Sequence, residues 1–277
     1  MVGRPNHGRR RTPRVKADVA AAYEGVAGAW AAGPAPLYDR LAEDVVSVYT
    51  DPITDHHVLD IGAGTGAVSR AVIRRGGRAT AVDAAEDMVA HMRAHGLDAV
   101  TGDLLSLPFD DAAFDGAIAA FSVSHTDDPV RALREARRVV RRDGVVVVGV
   151  HAAKSAGAHK DIVDRVAARF GFVQPSWHDR LKQELEPLTN TRSALAECAS
   201  RAGLADVVIS EREVDTGIST PADIVASRLG MAHMAPFVDG LDASRRRELI
   251  AAATAAVARD PQPLRPVVLI MSSRVRD

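Results

Sequence analysis

Along the first 150 residues, short β-branched apolar runs alternate with helix-patterned segments, and this restricts the chain to stacked βαβ units around a mostly parallel sheet. A parallel strand is covered by helices on both faces, so it reads as an unbroken apolar run; Val145-Val146-Val147-Val148 is one. Strands are expected at residues 58–61, 79–82, 99–101, 116–121 and 145–150. Asp128 before Pro129 is an N-cap followed by proline in the first helical position. Val130, Leu133, Ala136 and Val140 then share a face, and Gly144 is expected to close the segment. Another helix is expected over 83–95, stopped by Gly96.

Past residue 150 the pattern loosens. Residues 151–190 and 221–260 read as helical insertions, with a helix at 191–202, a strand at 207–214 and a last strand at 266–272. Ahead of the first strand, residues 17–49 read as two helices broken around Gly33-Pro34-Ala35-Pro36. The plan is therefore a basic tail at 1–16, N-terminal helices at 17–50, a core at 51–150, and a remainder at 151–277 that completes the sheet.

Charge and cysteine content narrow the partners. Lys and Arg total 35 against 36 Asp and Glu, so neither nucleic acid nor a membrane surface is expected to bind the folded body. Residues 1–16 carry Arg4, Arg9, Arg10, Arg11, Arg14 and Lys16 without an acid. No apolar segment follows, so a solvated tail is expected there rather than a secretory signal. Cys198 is the single cysteine, which rules out an intramolecular disulfide and fits a reducing, cytoplasmic setting. No apolar run approaches the roughly 18 residues of a membrane span.

The chemistry is concentrated in Val58-Leu59-Asp60-Ile61-Gly62-Ala63-Gly64-Thr65-Gly66, where a strand enters a glycine turn and then a helix. Such a turn lets a ligand approach the backbone closely, and Gly62, Gly64 and Ala67 also satisfy the dinucleotide fingerprint. Asp60 separates the two readings. A carboxylate beside the turn repels a pyrophosphate and attracts a cationic, amino-acid-like ligand, so a nicotinamide oxidoreductase is disfavoured. S-adenosylmethionine carries an ammonium, a sulfonium, a ribose diol and an adenine, and no phosphate. Asp83, ending the second strand, can accept from both ribose hydroxyls. Asp103 can accept from the adenine amino group, with Leu104 and Met88 flanking the ring, although a turn cap also accounts for Asp103.

Taken together, these residues resemble the class I S-adenosylmethionine-dependent methyltransferase family, in its small-molecule branch. The motifs that carry the resemblance are residues 58–66, Ala81-Val82-Asp83, Gly102-Asp103 with Leu107-Pro108-Phe109, Phe114-Asp115, and Arg134 to Val140 leading through Gly144. They run in family order over about residues 17–150. The resemblance implies a doubly wound, seven-stranded, mostly parallel α/β sheet with its final strand antiparallel, helical lid insertions, and a donor crevice between strands one and four.

It also implies donor contacts from Asp60, Gly62, Gly64, Gly66, Asp83, Met88, Asp103, Leu104, Phe121 and Tyr23. His125, past strand four, and His151, ending strand five, are the candidate bases. Trp30, Trp177, His233 and Phe237 are candidate substrate contacts, though helix packing explains these apolar positions as well. Asp110, Asp111, Asp127 and Asp128 suit turn and cap roles, so no metal is expected. The expected activity is O-methylation of a small metabolite by a monomer or homodimer, releasing S-adenosylhomocysteine. A cyclase on the same fold is the alternative, and methylation of nucleic acid would rest on the basic tail alone.

Overall fold

A computed structural model describes residues 19–276 apart from 20 and 156, so the expected tail at 1–16 lies outside the described residues. Helices α1 (Ala27–Ala32) and α2 (Ala35–Val46) precede the sheet. The core then runs β1 (His57–Ile61), α3 (Ala67–Arg74), β2 (Arg78–Asp83), α4 (Glu86–Ala94), β3 (Asp98–Thr101), β4 (Phe114–Ala120), α5 (Pro129–Val139) and β5 (Val140–His151). After it come α6 (Ala158–Arg169), α7 (Ser176–Arg180), α8 (Arg192–Arg201), β6 (Ala205–Glu213), α9 (Pro221–Leu229), α10 (Ala235–Asp239), α11 (Ala243–Val257) and β7 (Val267–Arg274).

The seven strands lie in the order β3-β2-β1-β4-β5-β7-β6, all parallel except β7, which is antiparallel to both of its neighbours. Strand order reverses between β1 and β4, which leaves a crevice at their carboxyl ends. Side-chain alternation along β5 shows why the sheet must be covered twice. Val145 and Val147 join one apolar cluster with Leu41, Val45 and Val72, whereas Val146 and Val148 join another with Leu133 and Leu195. All four valines are fully buried. Helices α6, α9 and α11 pack together on the first of these faces, so the two insertions form one assembly. No helix among the described residues is long and apolar enough to cross a membrane.

Several boundaries differ from expectation for local reasons. The N-terminal segment falls into three helical pieces, because Gly25 adds a second break at φ 77° between the turn at 21–23 and α1. Helix α4 starts at Glu86, three residues late, because Asp83 still belongs to β2 and its Oδ1 accepts from Ala85 N (2.9 Å). Gly144 does not end a helix. It lies inside β5, within an irregularity in the pairing with β4, where a Cβ would sit 2.5 Å from the Asp115 carbonyl oxygen. The Asp128 cap forms as expected, accepting from Arg131 N at 2.9 Å.

Candidate active site

The turn after β1 is built from positive-φ glycines, at 68° for Gly62, 55° for Gly64 and 87° for Gly66. Gly62 must also be small, since a Cβ there would meet Ser122 Cβ at 2.3 Å, where Ser122 Oγ donates to Ile61 O (2.7 Å). The β1 turn and the exit of β4 therefore touch, and a cavity of about 160 Å³ opens beside them. Gly62 and Gly64 line it; Gly66 does not, and instead packs its backbone under Leu97.

Asp60, Asp83 and Asp103 all line this cavity, and among its described lining residues there is no Lys or Arg. Each acid also holds backbone. Asp60 Oδ2 accepts from Ser69 N (2.9 Å) and Ser69 Oγ (2.7 Å), tying β1 to the start of α3. Burial outweighs these bonds and pushes its carboxyl up to about 7. Asp83 Oδ2 accepts from Gly64 N (2.7 Å), so this carboxylate shapes the glycine turn as well as facing the cavity, and burial raises its pKa too. Asp103 Oδ1 accepts from Leu105 N (2.8 Å), so the turn cap forms and the residue still reaches the cavity. Met88 and Leu104 also line the cavity. A site rich in carboxylates and free of cations fits a phosphate-free cationic nucleoside and opposes a pyrophosphate. The residues present therefore fit S-adenosylmethionine.

A second, larger cavity of about 710 Å³ adjoins the first. Tyr23, Trp30, Tyr38, Phe121 and His125 line both, and so form the neck between them. The neck is aromatic: Trp30 and Tyr38 centroids are 4.9 Å apart, Tyr38 meets Phe121 edge-on at 5.5 Å, and Phe121 lies 4.7 Å from the His151 ring. Phe121 adopts φ 64°, a conformation that costs a bulky residue energy and is retained where surrounding structure enforces it. Here its N–H donates to Gly149 O (2.7 Å), which holds the chain end of β4 in place.

His125 sits on a short 3₁₀ turn (Val123–His125) after β4, with Nε2 3.4 Å from the Tyr23 hydroxyl. Burial lowers its pKa, partly offset by the negative charge of Glu186, so the ring is neutral and able to accept a proton. His151 lines only the larger cavity, and burial pushes its pKa down to about 3, which makes it a poorer base.

The insertions supply the rest of the larger chamber. Trp177 and His233 reach it, and His233 stacks on His178 with centroids 3.8 Å apart. Phe237 does not reach it; α10 turns that ring onto Phe172 at 5.4 Å in the apolar core. Tyr38, Lys160, His178, Lys182 and Glu186 line the chamber without having been singled out in the sequence. Tyr38 follows Trp30 by two helical turns, but the break at Gly33 hides that periodicity. Among the described residues, no three His, Cys, Asp or Glu side chains are grouped to hold a metal ion.

A methyltransferase domain model matches residues 59–148. The ubiquinone/menaquinone biosynthesis C-methyltransferase UbiE of Roseobacter denitrificans is 34% identical over 119 residues, covering 39% of this chain and 48% of that protein. The chain spans about half the length of the curated relatives it matches. Among solved structures, the YcgJ protein of Bacillus subtilis superposes with a TM-score of 0.54 at 20% identity, covering 86% of this chain and 99% of that one. The [4+2]-cyclase SpnF superposes with a TM-score of 0.52 at 22% identity, covering 86% and 81%. With its glycine turn, its strand-end carboxylates and the β3-β2-β1-β4-β5-β7-β6 sheet all in place, the chain carries a methyltransferase domain at residues 59–148 on a class I, Rossmann-like methyltransferase fold.

Proposed function

We propose that this protein methylates an oxygen of a small molecule seated in the larger chamber, using S-adenosylmethionine held in the smaller one. The observation that carries this reading is the shared neck. Two cavities that meet at five common residues let a donor and an acceptor face each other with little water between them.

When bound, the donor supplies an electrophilic methyl carbon on a positively charged sulfur. The remaining work falls to the protein's own side chains. Asp60 draws the ammonium, Asp83 accepts from the ribose hydroxyls with lone pairs left over from its backbone bonds, and Asp103 accepts from the adenine amino group. Met88 and Leu104 flank the base, and Tyr23 offers an aromatic face to positive charge. His125, neutral and at the neck, takes the proton from an acceptor hydroxyl as it is methylated. Trp30, Trp177 and His233 position the acceptor.

Oxygen is preferred because a hydroxyl gains most from a neighbouring neutral imidazole. The family match ends at residue 148, before the insertions that build the chamber, so the curated C-methyltransferase relative does not bear on the acceptor atom. Both cavities are lined from one chain, which suits a monomer or a homodimer with separate sites. The lone thiol Cys198 is buried and free, in keeping with a reducing cytoplasmic setting.

An intact-mass screen of small metabolites with isotopically labelled donor tests the proposal. A product heavier by one labelled methyl supports it. A second reading, cyclisation on the same fold, draws on the SpnF likeness, and a rearranged product of unchanged mass would establish it instead.

A further inference from the structure

One cation lining the larger chamber has no ion-pair partner of its own among the described residues. The chamber's lining cations are Lys160, Lys182, Arg228 and Arg265. Lys182 pairs with Glu186 at 2.5 Å, Arg228 makes a two-pronged pair with Asp164 at 2.7 and 2.6 Å, and the half-exposed Arg265 pairs with Asp215 at 2.8 Å. Lys160, from α6, makes no hydrogen bond or ion pair with another described residue; it feels Asp164 and Glu186 only at longer range, and those carboxylates are already paired with Arg228 and Lys182. The remaining lining acid, Asp161, is exposed to water. Burial is the main influence on the Lys160 ammonium and lowers its pKa to about 8, so it still carries its charge near neutrality.

Three neighbouring imidazoles are unsatisfied as well. His159 Nδ1, His178 Nδ1 and His233 Nε2 are buried without a hydrogen-bond partner, and each residue is more than nine-tenths buried. A native protein seldom leaves such atoms unpaired unless something else meets them. All three line the chamber, and His178 and His233 both sense the charge of Lys160. Burial keeps both rings neutral, so they serve as hydrogen-bonding groups rather than as charges. Trp177, Ile224 and Met231 add apolar surface to the chamber.

We propose that the methyl acceptor is a hydroxyl-bearing, otherwise apolar carboxylic acid, whose carboxylate sits on Lys160 beside the His178–His233 stack while its body lies against Trp177 and Ile224 and its hydroxyl faces the neck. This rests on the chamber being the acceptor site. One unpaired ammonium matches one carboxylate, whereas a phosphate dianion would leave a buried negative charge without a partner.

The experiment measures binding, not turnover, on protein saturated with S-adenosylhomocysteine. Dissociation constants are compared for matched probes: salicylate against salicylamide, phenylacetate against phenylacetamide, and cinnamate against cinnamamide. At least one acid is expected to bind roughly tenfold or more tightly than its amide, as for a hydrogen bond between charged partners. That preference should fall to within about twofold in Lys160→Met and persist in Lys160→Arg, which keeps the charge. S-adenosylhomocysteine affinity should be unchanged in both variants, showing that the donor side is intact. If no acid outbinds its amide, or if the preference survives Lys160→Met, the acid proposal is overturned. If the unmodified protein fails to bind S-adenosylhomocysteine, the methyl-transfer reading is what falls.

Discussion

Replacing Asp60 with Asn is expected to stabilise the protein in mildly alkaline buffer while weakening its hold on the donor. Asp60 is 2% exposed, and although Ser69 donates to it twice, its carboxyl is pushed up to about 7 from 3.8. An acid whose pKa is raised by folding binds its proton more tightly in the folded state than in the unfolded one. Its contribution is therefore fully present below about pH 4 and is lost as pH climbs through about 7. A span of about three units corresponds to about 4 kcal/mol at 1.36 kcal/mol per unit. Asparagine resembles the protonated carboxyl and keeps an oxygen for both Ser69 donors, so it escapes this loss. Urea denaturation at about pH 8 should show the variant more stable than the parent by about 2 to 4 kcal/mol, with the gap closing near pH 4. Calorimetry should show S-adenosylhomocysteine bound roughly tenfold more weakly, because its ammonium loses a charged partner. A variant less stable than the parent at pH 8, or one that binds the ligand equally well, would refute the reasoning.

Other substitutions probe the neck and the scaffold. His125→Ala should lower turnover about a hundredfold or more with little change in donor affinity, read from single-turnover rates alongside calorimetry. Because burial lowers the His125 pKa, kcat/KM for a hydroxyl acceptor should stay level as pH falls through about 6.5 and decline only below it; a decline beginning near pH 7 would contradict a neutral buried base. Gly64→Ala meets no atom within 4 Å and should cost about 1 to 2 kcal/mol for its positive φ alone. Gly62→Ala also displaces Ser122 from Ile61 O, adding about 1 to 3 kcal/mol, so equal denaturation midpoints for the two variants would count against the contact. Arg228→Met strands Asp164 beside the chamber and should cost about 2 to 3 kcal/mol in urea, with Asp164→Leu in the same background recovering part of the loss.

By itself the sequence determined the strands, the glycine turn and the acids at the ends of β1 and β2, because each is a local matter of backbone preference and apolar run length. Val145 to Val148 had to be a twice-covered strand, and Gly62 had to sit where φ turns positive, whatever the rest of the chain did. Even so, local signals misled where long-range pairing prevailed. Gly144 has the look of a helix stop, yet the pairing of Phe114 with Val140 draws it into β5.

The acceptor chamber was decided by tertiary structure alone. Tyr38, Lys160, His178, Glu186 and His233 come from α2, α6, α7, the turn that follows it, and the loop before α10, and only the docking of both insertions beside the β5 end brings them together. Trp177 and Phe237 show the limit plainly: both are aromatic residues of insertion helices, but one faces the chamber and the other Phe172. Periodicity tells which positions avoid water. It does not tell whether what lies against them is core or cavity, because that depends on how separate helices pack.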